Sequence, residues 1–231
     1  MHQSISRKRI YFYLLILLFL SSTFNINIIP NIKKLILINH INIKGINEKE
    51  KNILEKNLEI FLNRNIFLVS KEEVKKKIKT YSFIDNYNIV KVFPSRLEIK
   101  VKKTKFVGMF ILNGNKFYIG KNGKFTKTSL VKKEYNLPQV FGSFKAFDFL
   151  KLQEILKANG FNLSKIKKYF YYKNKRWDIE TEGNIVMKFP SKNVENSLKN
   201  YKLLLKANKI LPGQIIDLRM KDKVILTNGK K

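Results

Sequence analysis

The first pattern along the chain is an unbroken apolar block. From Ile10 to Ile32 no residue carries a charge, and Arg7, Lys8 and Arg9 stand directly before it. As a helix over residues 10–29 the block is about 30 Å long, the thickness of a bilayer's hydrocarbon core, so the expectation is a transmembrane helix. The three cations hold the short amino end in the cytoplasm and place everything after Pro30 on the far side. A cleaved signal peptide is the rival reading, because Ile10–Leu20 is a short apolar heart and Ser21, Ser22 and Thr23 are small. No clean Ala-x-Ala site follows, which favours a retained anchor. Either reading exports the bulk of the chain.

Beyond the block the periodicity changes. Ile41-Asn42-Ile43-Lys44 alternates as a half-buried strand that stops at Gly45. Asn47 is placed to cap a helix with Glu48 and Glu50 in its first turn, and Ile53, Leu54, Leu58, Phe61 and Leu62 give that helix an apolar stripe. Ser70 precedes Glu73 by three, a capping-box spacing, and Val74, Ile78 and Tyr81 carry a second helix over Ser70–Tyr81. Its Lys75, Lys76 and Lys77 read as a solvated face. Ile89–Phe93 and Leu97–Val101 alternate on either side of Pro94-Ser95-Arg96, which predicts a hairpin. The order strand, helix, helix, strand, strand describes a compact α+β unit of about 60 residues.

Further on, Phe106–Leu112 and Lys116–Ile119 flank an Asn113-Gly114-Asn115 turn, Asn122-Gly123 marks another, and Pro138 and Gly142 bracket the short apolar piece Val140-Phe141. Phe147, Leu150, Ile155 and Leu156 fall at helical spacing before Gly160. Ile166–Tyr172, Arg176–Glu180 and Ile185–Phe189 read as a meander. Ser191 is read as the cap of a helix holding Val194, Leu198, Tyr201, Leu204 and Leu205, and Pro212-Gly213 ends it. Strands Ile215–Leu218 and Val224–Leu226 finish the pattern.

Composition narrows the chemistry. The 44% hydrophobic and 13% aromatic content is that of a folded core, so the net charge of +30 does not describe a disordered polycation. Cysteine is absent, which excludes disulfides, cysteine-held metals and a thiol nucleophile. His2 and His40 have no histidine neighbour, and glycines stand singly, so neither a metal centre nor a phosphate-cradling loop is expected. Asp178, Glu180 and Glu182 share one strand face by their spacing, and the expectation for them is a solvated row balancing nearby lysines. The lysine and aromatic run from Lys167 to Lys173 invites a nucleic-acid reading, but its strand period turns half the aromatics towards a core, so no nucleic acid is expected. A binding protein without cofactor or catalytic residues is the reading that remains.

The order of features resembles the FtsQ/DivIB bacterial cell-division family. Ile41–Gly45 is similar to the start of that family's POTRA domain, and Phe93-Pro94-Ser95-Arg96-Leu97-Glu98-Ile99-Lys100-Val101 to its Pro-x-x-Leu-x-Ile-x-Val stretch. Asn122-Gly123-Lys124-Phe125 resembles the turn after that domain, and Leu137-Pro138-Gln139-Val140-Phe141-Gly142 its Leu-Pro-x-x-x-Gly element. Trp177 with Ile179 resembles its Trp-x-Leu strand, and Ile216-Asp217-Leu218-Arg219-Met220 its Val-Asp-Leu-Arg-Tyr. The sequence departs from the family at Lys103 and Phe106, where relatives commonly carry Glu and Pro, and at Gly120, where an Asp is common.

The resemblance implies a cytoplasmic tail over residues 1–9, a transmembrane helix over 10–29, a linker over 30–40 and a POTRA domain over 41–105. A mixed C-terminal β domain with flanking helices follows over 106–227, and a tail over 228–231. It further implies a non-enzymatic single-pass inner-membrane scaffold of the division septum. Its periplasmic part would bind FtsB and FtsL by strand addition at the C-terminal sheet edge and help recruit septal peptidoglycan synthesis. Other divisome membrane proteins would meet the POTRA domain. The edge is placed on residues 219–226, with Arg219, Met220 and Asp222 contributing contacts and Val224 and Leu226 pointing inward. An exported POTRA-type or wall-binding module outside division is the alternative, with a basic nucleic-acid-binding protein behind it.

Overall fold

The computed structural model describes residues 7–22, 34–206, 210–221 and 223–229. Helix α1, Arg7–Ser22, is apolar on every side once past its three cations, and Tyr11, Leu15, Leu18 and Phe19 are all exposed. Its 16 residues measure about 24 Å at 1.5 Å per residue. Among the described residues no helix is long and apolar enough to cross a membrane, and residues 23–29 of the expected span lie outside the described residues.

The chain divides into two compact units. One comprises residues up to Lys44 with Ile53–Ile78 and Asn88–Lys100, and the other Gly45–Asn52, Lys79–Tyr87 and Val101 onwards. The elements before residue 104 follow the expected order: β1 (His40–Lys44), α2 (Glu48–Leu58), α3 (Lys71–Lys79), β2 (Ile84–Val92) and β3 (Arg96–Lys103). Both expected helix caps are made. The Asn47 side chain accepts the Glu50 N–H at 3.0 Å while the Glu50 carboxylate accepts the Asn47 N–H at 3.4 Å. Ser70 Oγ likewise accepts the Glu73 N–H at 3.1 Å. The two helices carry the chain across so that β1 can lie parallel to β3, His40 beside Arg96 and Lys44 beside Lys100, in a sheet ordered β1-β3-β2. Gly45 ends β1 with φ +97°, and a Cβ there would stand 2.0 Å from the Val101 carbonyl oxygen, so only glycine fits. Ile38, Leu54, Leu58, Phe61, Ile78 and Leu97 are wholly buried in the first unit.

From residue 106 onwards the chain builds one nine-stranded mixed sheet, ordered β12-β11-β10-β9-β8-β7-β4-β5-β6. Its strands are β4 (Phe106–Leu112), β5 (Asn115–Gly120), β6 (Phe125–Lys127), β7 (Gln139–Phe141), β8 (Ile166–Tyr171), β9 (Trp177–Thr181), β10 (Val186–Lys188), β11 (Gln214–Asp217) and β12 (Ile225–Asn228). Helix α4 (Ala146–Ala158) crosses over between the parallel strands β7 and β8, and α5 (Val194–Lys206) between the parallel strands β10 and β11. Strands β8, β9 and β10 form the expected antiparallel meander. Phe149, Leu152, Leu156 and Leu198 from the helices share one buried cluster with Tyr169, Ile179, Met187 and Ile216 from the sheet.

Two expectations are corrected. Ser191 does not cap α5, which begins only after Asn193 at φ +59°, with the Asn196 N–H bonded to the Asn193 carbonyl at 3.1 Å. The last strand is Ile225–Asn228 rather than Val224–Leu226, so Asn228 belongs to the sheet and not to a tail.

Candidate protein-docking edge

Side chains alternate across a sheet, so the residues between the helix-packed ones face the other way. Strand registers line those residues up as Phe141, Phe170, Asp178, Lys188, Asp217 and Ile225, a row running from β7 to the outer strand β12. Phe141 and Phe170 stack with ring centroids 5.2 Å apart. Beside them the signs alternate, carboxylate, ammonium, carboxylate. Lys188 was missed in the sequence because its neighbour Asp217 is reached only through the β10–β11 crossover.

The two carboxylates of this row sit in different surroundings. Asp178 is 2% exposed, and Arg176 holds it through Nε–Oδ1 at 3.1 Å and Nη2–Oδ2 at 3.3 Å. Burial pushes its carboxyl above the ordinary range, against the pull of the Arg176 charge. Asp217 accepts from Arg219 Nε at 2.8 Å and from the Arg219 N–H at 3.1 Å, and these bonds hold its carboxyl below the ordinary range. The same contacts raise the Arg219 guanidinium.

The expected solvated row of Asp178, Glu180 and Glu182 is therefore corrected at its first member. Strand β9 lies in the middle of the nine-stranded sheet, so Asp178 is shielded and ion-paired. Glu180 pairs with Lys168 at 2.9 Å, and Glu182 is exposed. Among the described residues no group of acidic and imidazole side chains is placed to hold a metal.

The residues expected to meet a partner take up three kinds of position. Arg219 and Met220 are exposed but stand before β12, because the bond from the Arg219 N–H back to Asp217 Oδ1 turns the chain away from β11. Val224 and Leu226 are half-buried and pack against the buried cluster. Asp222 lies outside the described residues. Arg7, Lys8 and Arg9 open α1, all exposed.

The outer strand is Ile225–Asn228, held antiparallel to β11 with Leu226 beside Ile216 and Asn228 beside Gln214. The Gly229 N–H reaches the Gly213 carbonyl at 2.9 Å. By the alternation of an antiparallel ladder, Thr227 and Ile225 direct their backbone groups to β11 in the same way. Leu226 and Asn228 direct theirs outward. This is the unpaired template that an extended chain can join.

The departures at Lys103 and Gly120 have internal explanations. The Lys103 ammonium donates to the fully buried Glu50 carboxylate and stands 5.5 Å from the Phe106 ring and 5.7 Å from the Tyr135 ring. A Cβ on Gly120 would come 2.4 Å from Asn122 Oδ1 and 2.9 Å from Thr104 Cγ2, so aspartate has no room there. Asn122 is itself fixed, its amide donating to the Ser82 and Ile84 carbonyls at 3.0 Å each.

Comparison with known proteins finds two matched regions along the chain. Residues 37–103 match the FtsQ-type POTRA domain family, and residues 110–219 match the family of the cell division protein FtsQ/DivIB C-terminal region. The chain is 25% identical over 159 residues to cell division protein FtsQ of Rickettsia bellii, covering 69% of this chain and 59% of that protein. It is 26% identical over 182 residues to cell division protein FtsQ of Rickettsia felis, covering 76% of this chain and 68% of the other. The major extracytoplasmic domain of the division protein DivIB from Geobacillus stearothermophilus overlaps at a TM-score of 0.32 and 13% identity, covering 47% of this chain and 96% of that one, too loose an overlap to bear on the fold. With both family regions present in order, and with the homologous proteins named for cell division, the chain belongs to the FtsQ/DivIB family of non-enzymatic cell-division proteins.

Proposed function

We propose that this protein is a single-pass inner-membrane scaffold of the division septum whose outer strand β12 captures an extended segment of an FtsB- or FtsL-type partner. The span would begin with α1 and run through residues 10–29, with Arg7, Lys8 and Arg9 keeping the amino end in the cytoplasm. A helix that is apolar all round and whose large side chains are exposed is the kind that lipid accepts. The bulk then faces the periplasm, where captured partners help recruit septal peptidoglycan synthesis. The POTRA domain serves as a second docking surface for divisome membrane proteins.

The observation that carries the reading is the outward direction of the Leu226 and Asn228 backbone groups on an outer strand. A partner strand laid there gains ladder hydrogen bonds, while Arg219 and Met220, exposed just before the strand, are placed to grade its side chains, with Asp222 close by in sequence. The matched C-terminal region stops at residue 219, so β12 lies beyond it. Asn228→Pro deletes an outward N–H from an exposed position and spares the β11 ladder. Co-purification of the full-length chain with an FtsB-type partner should drop sharply for the folded variant. Undiminished capture would refute strand addition at β12. A fluorescent fusion of the intact chain should gather at midcell before constriction, and an even envelope signal would refute the divisome assignment.

A further inference from the structure

The chain enters the first unit through a short backbone seam. The Ile38 N–H donates to the Arg64 carbonyl at 2.9 Å, the Asn63 N–H to the Ile38 carbonyl at 2.8 Å, and the Ile66 N–H to the Ile36 carbonyl at 3.0 Å. Asn39 adds the β2–β3 turn to the same place, its N–H donating to the Ser95 carbonyl at 3.0 Å. Around this entry point four large apolar side chains face solvent: Leu35 is 59% exposed, Phe67 61%, Leu68 76% and Phe93 56%. Phe67 and Phe93 stack with centroids 4.8 Å apart although 26 residues separate them, so this is one patch and not scattered exposure. The loop that presents it is held, with the Asn65 side chain accepting the Phe67 N–H at 2.9 Å and the Asn65 carbonyl accepting the Leu68 N–H at 3.0 Å. Exposed Lys34 and Lys71 flank the patch in sequence.

We infer that this patch is a membrane-contact tip that seats in the interfacial layer of an anionic bilayer. The inference rests on the reading of α1 as the start of the anchor. Twelve residue steps separate Ser22 from Lys34, which limits the tip to within about 40 Å of the helix end for any conformation of the residues between. The entry point is therefore the part of the unit whose distance from lipid the tether limits most tightly. Aromatic and aliphatic side chains rimmed by lysine are the composition that settles about 5–10 Å into the headgroup and acyl boundary, with the ammonium groups meeting lipid phosphates. A tip seated in this way would fix the orientation of the unit on the membrane.

The chain has no cysteine, so single probes can be placed at will. Full-length protein carrying Leu68→Cys or Phe93→Cys, labelled with an environment-sensitive fluorophore, would be reconstituted into phosphatidylglycerol-containing vesicles with shallow nitroxide-lipid quenchers. Lys100→Cys, exposed further along β3, is the solvent control, and Leu14→Cys reports on α1. The expected result is a blue shift and several-fold stronger lipid quenching at positions 68 and 93 than at 100, weakened in purely zwitterionic vesicles. Quenching at 14 without quenching at 68 and 93 overturns the tip while leaving the anchor standing. No quenching at 14 overturns the anchor and the tip with it. A blue shift at 68 that grows with protein density but shows no lipid quenching assigns the patch to a second copy and also overturns the inference.

Discussion

Glu50 is fully shielded, and its carboxylate takes a hydrogen bond from Lys103, which is itself only 19% exposed. Asp217 sits at the outer end of the nine-stranded sheet, and its partner Arg219 is 44% exposed. The two pairs have the same chemistry and different consequences. A carboxylate wholly out of water depends on its cation, because losing that cation strands a buried charge. A pair on a wet rim gains little from association, so its side chains remain available to other groups. The corner beside β4 is therefore a pair that the fold depends on, and the pair beyond β11 is one that the fold can spare.

The sharpest way to break that contrast is Lys103→Ala, which should cost about 3–5 kcal/mol in urea unfolding by orphaning Glu50. A loss of less than 1 kcal/mol, on the order of an exposed pair, would erase the distinction. Next in size is Thr227→Pro, which removes a ladder donor to β11 and should lower stability by about 1–3 kcal/mol, whereas Asn228→Pro leaves stability nearly unchanged and affects partner capture alone. Equal destabilisation by both would mean that the edge has no outward row. Asp217→Asn should cost less than about 1 kcal/mol at neutral pH, because its guanidinium partner is partly in water. Since the Asp217 carboxyl is held below 3.8, its contribution is present above that value and is lost as pH falls through the folded-state value.

Asp178 gives the smallest effect and the opposite slope. Its carboxyl is raised above 3.8, so its charge weakens the fold as pH climbs through that window, and acidification relieves the cost. Asp178→Asn should be close to neutral at pH 7 and should remove this slope from the pH dependence of unfolding. The same sign of slope change for both aspartates would contradict the placement of one as buried and the other as rim.

Local chemistry was legible and distant pairing was not. Asn47 with Glu50 and Ser70 with Glu73 cap their helices as their spacing indicated, since a cap involves only residues three apart. The family-like segments also fall on regular elements, with Leu97, Ile99 and Val101 buried along β3 and Trp177 and Ile179 along β9. Ser191 misled because the residue that turns into α5 is Asn193, at positive φ, a conformation that asparagine tolerates better than most residues. The alternation at Asp178 was right, but its burial comes from a central place in the sheet that the parallel β7–β8 and β10–β11 pairings create, and no nearby residue signals those pairings. The outer strand was set too early for a related reason. Asp217 captures the Arg219 N–H and diverts the chain, so pairing resumes only at Ile225.

Amide hydrogen exchange on the intact, detergent-held chain, with and without an FtsB-type partner, tests strand addition most directly. Leu226 and Asn228 should exchange quickly alone and become protected with the partner, while Thr227, already bonded to β11, changes little. Unchanged exchange at Leu226 and Asn228 in a complex that has demonstrably formed would contradict it.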